Sequence, residues 1–243
     1  MKIVDCPWEL ENLGCRVAEI STIEDEVIDP SKLVDIESKY DYIVVKIPQL
    51  DFSNSKVLSQ NGYSFIESQI SVEKKIKDVD VTTNKAVAAY YKRFRSERIT
   101  EEKDLSVLLD NITSEMFHTD RIFIDPEFGP KYSERRYKNW IKTEFKKGAL
   151  VYNHYYRETN IGFSLCKIEN NIAHGLLAGV FEKYQNSGMG LFLGFYPILY
   201  TQYGADLFVG KSSSNNMHIL RIYQRFLYDL VNIEYVYIKH INH

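Results

Sequence analysis

One stretch constrains this chain more than any other: Ala173 to Tyr203, AHGLLAGVFEKYQNSGMGLFLGFYPILYTQY. Leu176 to Phe181 is an apolar run short enough for a buried strand. A polar turn follows, Glu182-Lys183-Tyr184-Gln185-Asn186-Ser187. Gly188-Met189-Gly190 then opens a long apolar segment that reads as a helix. A strand, a glycine turn and a helix start make an anion site: the first-turn N–H groups lack intrahelical acceptors, and the helix dipole adds partial positive charge. Glycine lets that backbone close on a phosphate with no Cβ in the way. Two phosphate loops are excluded. No Gly-x4-Gly-Lys-Ser/Thr run is present, and Gly188-Met189-Gly190 continues Leu191-Phe192-Leu193 without the third glycine of a dinucleotide fingerprint.

The 243 residues suit one large domain or two small ones. A net charge of -3 and a pI near 6.1 give no general attraction to nucleic acid or to an anionic membrane, so neither is an expected partner. Cys6, Cys15 and Cys166 are odd in number and scattered, which indicates neither a disulfide framework nor a metal site. Met1-Lys2-Ile3-Val4-Asp5 does not read as a signal peptide, and the most apolar run, Gly188 to Tyr200, is too short to span a bilayer. The expected compartment is the cytoplasm.

Residues 1–90 read as a small α/β unit. Cys15 to Ile20 alternates, Asp41 to Ile47 is a β-branched run buried on both faces, and Tyr63 to Val72 alternates again. Asn54 or Ser55 caps a short helix that Gly62 ends. Lys74 to Lys85, with Asp78, Asp80, Thr82, Thr83 and Asn84, is the linker or hairpin candidate. Residues 91–243 form the second unit. Arg93 to Ile99 opens it as a strand, and Thr100 caps a helix whose stripe is Leu105, Leu108, Leu109 and Ile112. Phe117 to Gly129 reads as a loop, and Tyr132 to Phe145 as a helix carrying Tyr137 and Trp140. Leu150 to Tyr156, Ile161 to Ile168 and Ile172 to Val180 are successive strands. Pro197 should kink the helix after the glycines, and Gly204 should end it. Ala205 to Val209 is a strand parallel to its predecessor, Lys211 to Asn215 a loop, and Ile233 to Ile241 the closing strand.

Gln185-x-x-Gly188-x-Gly190, with the lead-in Val180 to Gln185, resembles motif A of the GCN5-related N-acetyltransferases. Asn216-x6-Tyr223 resembles their motif B, with Phe226-Leu227 where the family has Gly-Phe. The resemblance covers Phe94 to Ile241. It implies an α/β fold with a mixed, mostly antiparallel sheet flanked by helices, here preceded by a smaller unit with the grammar of a partial copy. A narrower similarity is to the TDP-fucosamine N-acetyltransferases of surface-polysaccharide synthesis. It rests on Pro7 to Gly14, Arg121 to Pro126, Tyr137-x-x-Trp140-Ile141 and Gly175 to Gly179.

The resemblance implies acetyl transfer from acetyl-coenzyme A to an amine, such as that of a nucleotide-linked amino sugar, without a metal. Pantetheine would pair with the edge of Leu177, Ala178, Gly179 and Val180, with a bulge at Gly179. The pyrophosphate would sit on Asn186, Ser187, Gly188, Met189, Gly190 and Leu191 beside Gln185, and Asn216 would meet the cysteamine end. Tyr223 would protonate the departing thiolate. His174 stands where a strand-borne base would be and is expected to share a face with Leu176, Ala178 and Val180. A structural histidine or a water chain is the alternative. Arg121, Asp125, Tyr137 and Trp140 would meet the sugar. A homodimer, another small or peptide amine as acceptor, and a non-catalytic coenzyme-A-binding module all stay open.

Overall fold

A computed structural model describes residues 1–82 and 84–241. In chain order the elements are β1 (Lys2–Asp5), α1 (Trp8–Leu13), β2 (Val17–Ser21), α2 (Pro30–Glu37), β3 (Tyr42–Pro48), α3 (Phe52–Gln60), β4 (Ser64–Lys75), α4 (Lys85–Tyr91), β5 (Phe94–Ile99), α5 (Glu102–Asp110), α6 (Arg121–Ile124), α7 (Pro130–Lys146), β6 (Leu150–Tyr156), β7 (Thr159–Glu169), β8 (Ile172–Val180), β9 (Leu207–Ser213), α8 (Met217–Arg225) and β10 (Asp229–His240). The strands form one sheet in the order β1-β2-β3-β10-β4-β9-β8-β7-β6-β5. Only β2/β3 and β8/β9 run parallel, each joined by a crossover. The architecture is therefore the expected mixed, mostly antiparallel sheet between helices.

Two runs of the chain repeat one topology. β1 pairs β2 antiparallel and β2 pairs β3 parallel; β7, β8 and β9 do the same. β3-α3-β4 and β9-α8-β10 are then strand-helix-strand units that exchange their last strands. β10 lies between β3 and β4, and β4 lies between β10 and β9. The expected boundary near residue 90 falls between α4 and β5, while the sheet runs on across it.

Helices cover both faces. On one, α5 and α7 pack on β6 to β8 through Leu105, Leu108, Ile141, Val151, Phe163 and Leu165. On the same side α1 and α6 pack on β2, β3 and β10 through Leu13, Ile122, Tyr42, Val44 and Val236. The other face buries Phe192, Phe195, Tyr196, Tyr200 and Tyr223 against Phe208 and Val72.

Several local expectations change. The segment after Gly188 is not an α-helix but two 3₁₀ stretches, Met189–Gly194 and Tyr196–Tyr203. Gly194 packs against Phe226, whose ring lies 2.0 Å from where a Cβ would be, and Pro197 at the head of the second stretch carries no amide donor. Glu101 rather than Thr100 is the N-cap of α5, and it makes no side-chain cap bond. The cap of α3 is Asp51, whose carboxylate accepts from the Asn54 N–H. The expected loop 117–129 contains α6, capped by Asp120, and β9 takes in Lys211 to Ser213. The linker candidate shortens, since β4 reaches Lys75 and Asn84 caps α4; Thr83 lies outside the described residues.

Candidate active site

The two parallel strands of the C-terminal unit part company. β8 and β9 pair from Ile172/Leu207 only as far as Gly175/Gly210. Beyond that point β8 stays on β7 up to Val180, and β9 stays on β4 up to Ser213. The backbone of Leu177, Ala178, Gly179 and Val180 is thus left without a ladder partner on one side. Unpaired strand edges are templates for another extended chain. By contrast, β2 and β3 stay in register over all of Val17 to Ser21, so the N-terminal unit has no such gap.

The bulge that opens the split is at Leu176, not Gly179. Leu165 pairs with Leu177 and Cys166 with Gly175, so Leu176 is the extra residue on β8. One inserted residue reverses the side-chain alternation beyond it. Ala173 and Gly175 face the Phe208 side, as do Ala178 and Val180 further on. His174 therefore lies on the opposite face, with Leu177 and Gly179, and does not share a face with Ala178 and Val180.

At the far end of the gap the loop after β8 turns sharply. Asn186 and Gly188 adopt φ of 59° and 82°, and nothing lies within 4 Å of where a Gly188 Cβ would be. The amides of Asn186, Ser187 and Gly188 donate to no backbone carbonyl among the described residues. Ser187 braces the turn, donating to the Tyr184 carbonyl and accepting from the Met189 N–H. A Gly190 Cβ would sit 3.4 Å from Val180 Cγ2, so the loop is folded back on the strand it leaves. Gln185 reaches across to the Glu115 carbonyl.

At the apex stands Tyr223 of α8. Its hydroxyl lies 3.7 Å from where a Cβ would be on Gly210, the last β9 residue that pairs with β8. Burial pushes its pKa well up, so the phenol holds its proton at neutral pH. Its ring packs on Tyr228 at 4.8 Å between centroids. Asn216, seven residues earlier, caps α8, its Oδ1 accepting from the Ile219 N–H at 3.2 Å.

No protein-family model matches the sequence, and no curated protein matches it; the likeness is to solved structures. A GCN5-related N-acetyltransferase from Kribbella flavida is 13% identical with a TM-score of 0.60, over 97% of this chain and 85% of that one. One from Sphaerobacter thermophilus is 14% identical with a TM-score of 0.59, over 83% of this chain. This chain spans 60% of that protein's length. A tandem protein of the same superfamily from the clavulanic acid pathway is 9% identical with a TM-score of 0.54, over 94% of this chain and 79% of that one. The fold is that of the GCN5-related N-acetyltransferases. Among the described residues no helix is long and apolar enough to cross a membrane.

Within this acetyltransferase fold the expected acceptor residues divide. Arg121 and Tyr137 come together under α6 and α7. The Tyr137 phenol is bonded to Asp120, its ring stacks on Phe117 at 3.8 Å, and Trp140 lies beside it. Asp125 is buried apart from them and accepts from His240 at 2.9 Å. Sequence reasoning missed Glu67 and Ser213, which face the same side of the sheet as Arg121. The signal present was a polar period-two row, Glu67-x-Gln69-x-Ser71, in a strand where half the positions should be apolar.

Proposed function

We propose that this chain is an N-acetyltransferase that moves an acetyl group from acetyl-coenzyme A to a small-molecule amine, with a nucleotide-linked amino sugar as the acceptor class. The observation that carries the reading is the split after Gly175/Gly210, with the Tyr223 hydroxyl at its apex and the Gly188 turn at its mouth. The gap fits the coenzyme. A peptide-like arm matches the unpaired edge of Leu177 to Val180, and free amides at 186–188 match a pyrophosphate. Met189 to Leu191 and Gln185 would border that anion, and Asn216 the arm's end. When bound, the coenzyme supplies an activated thioester. Tyr223 holds the proton that the leaving sulfur needs, and His174 lies on the acceptor side of the sheet. Arg121, Tyr137 and Trp140 support the sugar reading by offering a guanidinium, a phenol and an indole on the adjoining helices α6 and α7. We take residues 1–90 as a partial copy of the same fold without a coenzyme site, because its parallel strands do not part.

Titration calorimetry should give one acetyl-coenzyme A per chain, and mass spectrometry should show acetyl transfer to dTDP-4-amino-4,6-dideoxygalactose. Gly188→Val forces a branched side chain into left-handed backbone and into the open space above the loop, so coenzyme affinity should fall at least about tenfold. Undiminished affinity in a folded variant would sink the loop assignment.

A further inference from the structure

The sheet face turned toward α1, α6 and α7 is apolar under each helical cover but polar between them. Glu19, Lys46, Glu67, Gln69, Lys211 and Ser213 line that band. Most of these charges are matched: Lys46 holds Glu19 at 2.8 Å, and Lys211 holds Glu234 at 3.0 Å. Glu67 is different. It is 5% exposed, makes no ion pair among the described residues, and is hydrogen-bonded to the hydroxyl of Ser213. Ser213 is the last residue of β9, on the rim of the split and across the gap from the unpaired half of β8. The carboxylate is therefore carried by a strand of the N-terminal unit to the edge of the coenzyme gap.

Two atoms around it lack partners. Arg121, which reaches over Glu67 and Glu19 from α6, has a buried Nε with no hydrogen bond, and so does Gln69 Oε1 on the next outward position of β4. A buried carboxylate held by one hydroxyl and no bonded cation, beside an unpaired donor and an unpaired acceptor, is costly in a structural core. It is what a site for a polar, cationic ligand requires.

We propose that Glu67 is the general base of the acetyl transfer and receives the ammonium of the acceptor amine. This inference rests on the acetyltransferase reading above. The ammonium passes one proton to the Glu67 carboxylate. The freed nitrogen pair forms the N–C bond to the acetyl carbonyl carbon while the C–S bond breaks, and the electron pair leaves on sulfur. The sulfur takes the Tyr223 proton, and the second nitrogen proton restores Tyr223. The products are the acetamide and the free thiol, with the first proton left on Glu67 for release to water. Arg121 Nε is placed to donate to an oxygen of the same acceptor.

Burial raises the Glu67 pKa above the ordinary carboxylate range, opposed by the Ser213 hydrogen bond and by Arg121 and Lys46, and reinforced by Asp120. A base acts only when ionised, so kcat/KM should rise with pH through that raised value. The test uses the full chain with acetyl-coenzyme A and, as acceptors, dTDP-4-amino-4,6-dideoxygalactose, spermidine and a glycyl peptide. Glu67→Gln should lower kcat about 100-fold or more and abolish the acid limb of the profile, with coenzyme affinity and Tm retained. Ser213→Ala removes the bond that favours the ionised form, so it should move the acid limb to higher pH. Independently of activity, carboxyl carbon NMR on glutamate-labelled protein should show one group titrating above the rest, absent in Glu67→Gln. If the wild type acetylates an amine and Glu67→Gln keeps its turnover and acid limb, the assignment is overturned while the acetyltransferase reading stands. If the wild type binds no coenzyme or acetylates none of the three, both fall.

Discussion

Two residues carry most of the chemistry and strain that can be tested singly. Tyr223 is held by the same burial that a structural tyrosine would show, but its hydroxyl points at the apex of the split rather than into the aromatic cluster alone. Tyr223→Phe keeps the ring and should lower turnover by about 10²–10⁴-fold with coenzyme affinity nearly kept. Near-wild-type turnover would assign the proton to water or another group. Leu227 carries the backbone strain. The turn after α8 still closes, with the Phe226 N–H on the Ile222 carbonyl and the Tyr228 N–H on that of Tyr223, but Leu227 makes it at φ 54°. A left-handed leucine costs about 1–2 kcal/mol, and asparagine tolerates the region better. Leu227 is exposed and buries little. Leu227→Asn should therefore raise stability by about 0.5–1 kcal/mol in urea unfolding; an unchanged or lower midpoint would count against strain there.

Among elements, the first 3₁₀ stretch meets the end of α8 in a packing exchange. Gly194 gives its side-chain volume to Phe226, whose ring atoms lie 2.0, 2.3 and 2.6 Å from the glycine's would-be Cβ. The Tyr228 hydroxyl ties the same spot by donating to the Gly194 carbonyl at 3.1 Å. Gly194→Ala should destabilise by about 1–3 kcal/mol through overpacking. Combining it with Phe226→Ala should cost less than the sum of the two single changes, because the ring that clashes is gone. Additivity of the two would mean that the segment shifts freely and the contact does not set its form.

At the scale of the whole molecule, the exchanged strands make the two units interdependent. Among the described residues β10 has only β3 and β4 as ladder neighbours, both from residues 1–90, and β9 has β4 on its outer side. A fragment of residues 91–243 would lose every partner of its last strand and expose Tyr237 and Val236, which are buried in the full chain. Expressed alone, it should show no cooperative unfolding by circular dichroism and bind no coenzyme. A folded, coenzyme-binding fragment would show instead that the N-terminal unit is an appendage.

By itself the sequence determined what short-range chemistry can determine. The period-two and apolar runs placed the strands from Leu150 to Val180 nearly to the residue, and the glycines at 188 and 204 marked turns that do need left-handed backbone. The Asn216–Tyr223 spacing put both residues at one helix, and the fold makes Asn216 its cap. What it could not determine depended on partners distant along the chain. Within the 3₁₀ segment after Gly188, the need for glycine at 194 comes from Phe226, more than 30 residues on. The reversal of faces along β8 follows from one bulge at Leu176, which no local pattern announces, because an apolar run reads alike on either face. The placing of Glu67 beside Ser213 needs β4 to insert between β9 and β10. A strand's hydrophobicity says that it will be buried, but only the assembled sheet decides which strands lie beside it.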